Sequence, residues 1–362
     1  MSGAPTTNAI SFPFAHPPKA GKAVEIADRL LWMRLPLPMA LDHINVYAFR
    51  DTDGWTVVDT GIGSKTTRAL WDNLIAGPLS GAPIVRVLIT HHHPDHIGNA
   101  GWFQSEGAEL LTSRTAWLFA RMLTLDVQDR PLPETLAYWR ASGMPADMLA
   151  NRANERPFNF ADCVTPMPLG FTRLAKGDTL EFGGRNWTVR LGQGHAPDHL
   201  VLFSDDGEFV LAGDHYLPTI SPNLGVYATE PTANPVADWL DSHRALAPYL
   251  DDTQVALPGH GLPFQGLPFR SKQLIDNHVS ALERVEYFLA EPKTAVDCFK
   301  TIFKRDIGPG EYTLALVEAM AHCLALWHAG RVTRHVMDDG RWLFEAKETS
   351  DAQGQGSPYR PR

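Results

Sequence analysis

Four histidines and one aspartate fall within six consecutive positions of "ITHHHPDHIGNAGW", residues 89–102, directly after an apolar run that reads as a buried strand. Imidazole nitrogen and carboxylate oxygen at this density are metal donors. His91 and His93 are two apart, so on an extended strand end they point the same way, and Pro94 turns the chain so that Asp95 and His96 address a second side. This spacing suits two metals. A solvated histidine-rich turn is the competing reading, and donors elsewhere in the chain weigh against it. His195 lies in "GQGHAPDH" after "WTVRLG", Asp214 ends "EFVLAGD", and His260 lies in "VALPGHG" after "TQVAL". Each follows an apolar strand and sits beside glycine, which allows a sharp turn. Strand ends on one edge of a sandwich can converge on a single cleft.

The surrounding elements form two β series. From Val24 to Asp59 the runs "NVYAF" and "WTVVDTG" flank the turn "DTDG". "SKTTRALWDNLIAG" then has helical spacing and stops at Gly77-Pro78, and "APIVRVLIT" is the strand that feeds the histidines. A second series holds "DTLEFGGRNWTVRLG", "HLVLFSDDGEFVLAGD" and "TQVALPGHG". Between the two series, residues 112–162 read as a helical insertion. Its apolar side chains, Trp117, Phe119, Met122, Tyr138, Trp139 and Met144, suit either a lid over the cleft or a homodimer interface. After "GLPFQGLPF" come three helical stretches, 271–290, 294–304 and 311–329, and then "RVTRHVM" and "RWLFEA" around the turn "DDG". Helices followed by a hairpin predict a winged-helix-like domain over 266–346. An N-terminal extension over 1–23, a main domain over 24–265 and a flexible polar tail over 347–362 complete the expected organisation.

Composition bounds the function. The chain has 362 residues, 44% of them hydrophobic, with a formal net charge of −9, which disfavours nucleic acid and makes a small-molecule substrate the default. No basic start with an apolar stretch opens the chain, and no run approaches about 18 apolar residues, so the expectation is a cytoplasmic protein with no membrane partner. The three cysteines, Cys163, Cys298 and Cys323, are far apart and read as core residues.

With these motifs in place, residues 25–265 resemble the metallo-β-lactamase superfamily: "VVDTG" with Asp59, "HHHPDH", "GH" with His195, "GD" with Asp214 and "PGHG" with His260. The resemblance implies an α/β fold, an αββα sandwich, with His91, His93 and His195 on one metal, Asp95, His96 and His260 on the other, and Asp214 bridging. It also implies that Asp59 orients a ligand histidine. Without thiolate ligands, two zinc ions per chain fit best, and iron or manganese also suit the donors. Two such metals hold a bridging hydroxide that attacks a carbonyl or phosphoryl group, with Asp95 relaying a proton. The expected reaction is hydrolysis of an ester-like bond, a thioester or a lactone. The rivals are a metal-dependent ribonuclease or phosphodiesterase, and a DNA-binding regulator whose metal site senses a ligand.

The ligand set excludes some relatives. Zinc β-lactamases with a cysteine ligand place it where this chain has Asp214. The nuclease branch with an extra domain needs more than the 45 residues between Asp214 and His260. "GHAPDH" is similar to the motif of glyoxalase II-like thioesterases, except that Asp198 replaces the usual glycine. By the same resemblance, His43 and Asn45 lie near the mouth of the site as candidate substrate contacts, and Tyr216 is a candidate oxyanion donor alongside the catalytic Asp95 and Asp214. The C-terminal unit resembles the winged-helix domain of the lactamase-β-like branch. It is expected to be a packing element, because residues 266–346 hold 10 Lys plus Arg against 11 Asp plus Glu. His92 reads as exposed or as support for its neighbours. His16, His243, His278, His322, His328 and His335 read as scattered structural or surface residues.

Overall fold

Strands Leu30–Pro36 and His43–Arg50 alternate strictly, and that alternation builds two hydrophobic cores. Met33, Leu35, Ile44, Val46 and Ala48 point to one side, where they meet Trp71, Leu74 and Phe103 of the covering helices. Leu30, Trp32, Tyr47 and Phe49 point to the other, against Phe182, Trp187, Val189, Leu200 and Leu202 of a second sheet. Each such large side chain contributes about 1.5–3 kcal/mol on burial. The computed structural model describes residues 9–347. The eight N-terminal residues of the expected extension, and the expected tail apart from Lys347, lie outside the described residues.

The described residues divide into two compact units, residues 9–127, 158–222 and 246–271, and residues 128–157, 223–245 and 272–347. The first contains a seven-stranded and a five-stranded sheet, in both of which the strands follow chain order, and Val255–Pro258 forms one edge of the smaller sheet beside Phe209–Gly213. Trp55–Val58, Ile84–Leu88 and Glu109–Thr112 run parallel, as do Phe209–Gly213 and Val255–Pro258. Arg185–Gly192 is antiparallel to His199–Ser204, which is antiparallel to Phe209–Gly213, so it shares the direction of the latter. The segments after these strands carry Asp59, the HxHxDH segment, whose Asp95 and His96 lie in the short helix Pro94–Ile97, and His195, Asp214 and His260.

The helix Lys65–Ala76 starts at Ser64, whose side chain accepts from the Thr67 amide, and gives way to Gly77-Pro78. Ser113 caps the helix Arg114–Leu125 in the same manner. The expected insertion is divided between the units. Arg114–Leu125 belongs to the sandwich unit, whereas Pro133–Ala141 and Ala146–Arg152 fall in the second.

The second unit holds the 17-residue helix Tyr312–His328, most of Leu267–Phe288, and the antiparallel hairpin Val332–Val336 with Trp342–Ala346. The helix expected over 294–304 is shorter than its pattern. The Thr294 hydroxyl and amide both donate to Asp297, which winds Val296–Cys298 into a 3-10 turn ahead of Phe299–Phe303. Among the described residues no helix is long and apolar enough to cross a membrane.

Candidate metal centre

The two sheets are joined at the end where the donors gather. Leu200 N donates to Thr90 O at 2.8 Å, and Asn45 N donates to Gly259 O at 2.6 Å. Three ring nitrogens converge, with His93 Nδ1 3.0 Å from both His91 Nε2 and His195 Nε2. On the other side, His260 Nε2 lies 3.3 Å from Asp95 Oδ2, and His96 Nε2 lies 3.8 Å from the same oxygen. The Asp214 carboxylate stands between. Its Oδ1 is 3.4 Å from His96 Nε2, and its Oδ2 is 3.3 Å from His260 Nε2 and 3.5 Å from His195 Nε2. Gly259 permits this approach, since a Cβ there would lie 2.3 Å from Asp214 Oδ1.

Each imidazole on the carboxylate side is held by its far nitrogen. His96 Nδ1 donates to Asp59 Oδ2 at 2.8 Å, and His260 Nδ1 donates to His43 O at 2.6 Å, so in both rings Nε2 faces the site. Asp59 is itself fixed by the Thr90 amide and hydroxyl, with a left-handed backbone at φ 60°. That conformation is tolerated by Asp.

The electrostatics separate the two sides. Burial, then neighbouring imidazoles, hold His91 and His93 well below the usual histidine range. Burial would also lower His96 and His260, but Asp214 outweighs it together with Asp59 and Asp95 at His96 and with Asp95 at His260. His96 is raised well above its ordinary value, and His260 to about 10. Burial would raise Asp214, yet His260 and His96 hold it well below the carboxylate range. The carboxylates thus demand positive charge. His96 Nε2, His260 Nε2 and Asp214 Oδ1 are buried without hydrogen-bond partners. Imidazole nitrogens without hydrogen-bond partners beside carboxylate oxygens that need a cation fit a metal ion, whose binding would displace the protons.

The remaining candidates are placed differently. Asn45 is 1% exposed, and its amide nitrogen donates to Pro258 O and Gly261 O while its oxygen accepts from Trp32 and Arg34. It braces the His260 loop instead of facing a substrate. His43 Nε2 accepts from the Gly261 amide, and its Nδ1 lies 2.5 Å from Asp42 Oδ1, so both ring nitrogens are engaged. Tyr216 is fully buried beside His215, with its hydroxyl hydrogen-bonded to Ser271. That corrects its placement as an open oxyanion donor: two residues beyond Asp214 the chain has already turned into the core. His92 is buried, against Phe119 at 5.0 Å and Phe160 at 6.3 Å, and not exposed.

His199 is a positioning residue that the motif reading passed over. Its Nε2 accepts from the Asp214 amide at 3.1 Å, and its ring stacks on His91 at 4.6 Å. The signal was present, since His199 is the second histidine of "GHAPDH". In the same motif Asp198 has φ 51°, the left-handed conformation that glycine favours. The Gln193 side chain compensates: its amide donates to Asp198 Oδ1 at 2.9 Å and its oxygen accepts from Asp198 N at 3.0 Å, while Thr115 donates to Oδ2.

Comparison with known proteins agrees with this geometry. Residues 39–260 match the model of the metallo-beta-lactamase superfamily, and residues 282–347 match a metallo-beta-lactamase-like C-terminal domain. The probable metallo-hydrolase YqjP of Bacillus subtilis is 28% identical over 303 residues, which cover 82% of this chain and 91% of that protein. A beta-lactamase domain protein from Burkholderia ambifaria superposes with a TM-score of 0.85 at 34% identity, over 93% of this chain and 98% of that one. A metallo-beta-lactamase family protein from Thermus thermophilus does so with a TM-score of 0.74 at 26% identity, over 89% of this chain and 100% of that one. With its strand-end donors in place and both halves matched, the chain is a metallo-hydrolase that belongs to the metallo-β-lactamase superfamily.

Proposed function

We propose that the protein hydrolyses an ester-like bond, a thioester or a lactone, at a dinuclear centre that takes zinc foremost and accommodates iron or manganese. The observation that carries this reading is the Asp214 carboxylate, with one oxygen toward His96 and the other toward His195 and His260. When bound, a metal pair would supply a water of lowered pKa and polarise the carbonyl whose carbon is attacked. His91, His93 and His195 would hold one ion, Asp95, His96 and His260 the other, and Asp214 both. Asp59 keeps His96 in the tautomer that presents Nε2, and the His43 carbonyl does the same for His260.

Asp95 is the more accessible acid, with a 20% exposed side chain against 7% for Asp214. It takes the proton of the attacking water and returns it to the leaving group. Phe119 and Phe160, packed on His92, form an apolar wall beside the His91, His93 and His195 donors that favours an acyl group. The C-terminal unit, winged-helix-like in its order of helices and hairpin, serves packing. Its hairpin arginines are engaged: Arg331 pairs with Glu286, Arg334 stacks between Trp327 and Trp342, and Arg341 pairs with Asp339.

The test is a screen of the metal-reconstituted chain against acyl thioesters, lactones, phosphodiesters and single-stranded RNA. Turnover of thioester or lactone that Asp95→Asn removes is the expected result. Turnover confined to phosphodiesters or RNA overturns the substrate assignment, and ligand binding with no turnover of any class favours a regulator.

A further inference from the structure

The second unit carries another constellation of imidazole and carboxylate, one the proposed reaction does not use. His278 on the helix Leu267–Phe288, and Glu318 and His322 on the helix Tyr312–His328, bring donor atoms within 4.8 Å of one another. Glu318 and His322 are four apart, so one turn sets them on the same face, and His278 supplies the third donor from another helix.

Local bonds orient these donors. His322 Nδ1 lies 2.9 Å from the Glu318 carbonyl oxygen, to which it donates, which leaves the Nε2 lone pair facing His278 Nδ1 at 3.4 Å. Two nitrogens at ordinary zinc distances on a tetrahedral ion stand about 3.3 Å apart. His278 and His322 are 4% and 1% exposed, and His278 Nε2 has no hydrogen-bond partner. Without a cation, the cluster is left with either a long imidazole–imidazole bond or two opposed lone pairs.

Glu318 Oε2 accepts from Asn223 Nδ2 at 2.8 Å, and among the described residues no lysine or arginine pairs with it. A half-buried carboxylate beside two imidazoles, with an asparagine amide for a partner, lacks the positive charge that would stabilise its ionised form, and a divalent cation supplies it.

We propose that His278, Glu318 and His322 form an additional metal site, with a preference for zinc, that clamps the helix Leu267–Phe288 to the helix Tyr312–His328. Two imidazoles and a carboxylate are a zinc-type donor set, and the two buried imidazoles, one on each helix, let a bound ion tie the helices together. This site does not depend on the reaction assigned to the sandwich.

The test uses the full chain with the sandwich donors removed, as the His91→Ala/His93→Ala/Asp214→Ala variant, prepared with zinc and passed over a weak chelator. Elemental analysis should find about one zinc per chain, lost when His322→Ala is added, and zinc should raise the melting temperature only while His322 is present. A folded triple variant that holds no zinc, with or without His322, overturns the proposal and makes the cluster a neutral polar contact. Should the triple variant not fold, crystals of the wild-type chain soaked in zinc decide the matter. Anomalous density between His278 Nδ1 and His322 Nε2 supports the site, and its absence at full occupancy of the sandwich overturns it. Loss of thioester or lactone turnover in any of these samples bears only on the sandwich.

Discussion

Both units bury imidazole beside carboxylate, by different means. In the sandwich the donors sit on segments after strands, and each imidazole on the carboxylate side is turned by a fixed acceptor, Asp59 for His96 and the His43 carbonyl for His260. In the second unit the donors project from helix faces inside an apolar core, where Ala315, Leu316, Ala319, Met320 and Cys323 are buried around them in the same helix. The sandwich site spends many residues on orientation and keeps one acid, Asp95, accessible. The helical cluster relies on one backbone bond and one asparagine, as suits a clamp but not a catalyst.

The largest expected effect breaks the sandwich site at its centre. Asp214→Ala removes the carboxylate shared by His96, His195 and His260, and hydrolysis should fall to the rate of buffer alone while zinc retention drops; retained activity would show that Asp214 does not join the two halves. Next, Asp59→Asn keeps the shape but weakens the acceptor at His96 Nδ1. Titration with a competing chelator should find affinity for one ion lower by about 10- to 100-fold, the usual cost of losing such a partner. If the affinity is unchanged, the rigidity of the loop and not Asp59 sets the ring.

A smaller effect is expected at His92. His92→Ala should leave metal content unchanged while chemical denaturation shows a loss of about 2 kcal/mol, because the buried ring packs against Phe119 and Phe160 without joining the donors. A fall in metal content would place His92 among the ligands. Smallest of all, Asp198→Gly relieves a left-handed backbone but gives up the bonds to Gln193 and Thr115, so thermal melting should register a change under about 1 kcal/mol. Asp198→Val, with the same losses and a β-branched side chain at that φ, should be clearly worse.

The sandwich site was legible because its donors occupy short contiguous motifs at strand ends, where period-two apolar runs announce the strand and glycine announces the turn. His199 escaped notice because its hexapeptide already offered His195, and only the fold shows its ring turned inward to the Asp214 amide. The burial of Asn45 and Tyr216 is not legible in the motifs that carry them. Motif position says nothing of burial, and the strand His43–Arg50 is covered on both faces, so its polar residue serves the neighbouring loop. His278 and His322 are 44 positions apart and each resembles an ordinary core histidine. Only helix packing makes them neighbours. The division of residues 112–162 between units was equally out of reach, since amphipathic spacing identifies a buried face without naming what covers it.

The most direct measurement is an anomalous difference map, recorded at the zinc edge, from crystals of the zinc-loaded chain. The account predicts two peaks in the sandwich, one among His91, His93 and His195 and one among Asp95, His96 and His260, with Asp214 reaching both. A single peak that leaves the Nε2 atoms of His96 and His260 without a metal would contradict it.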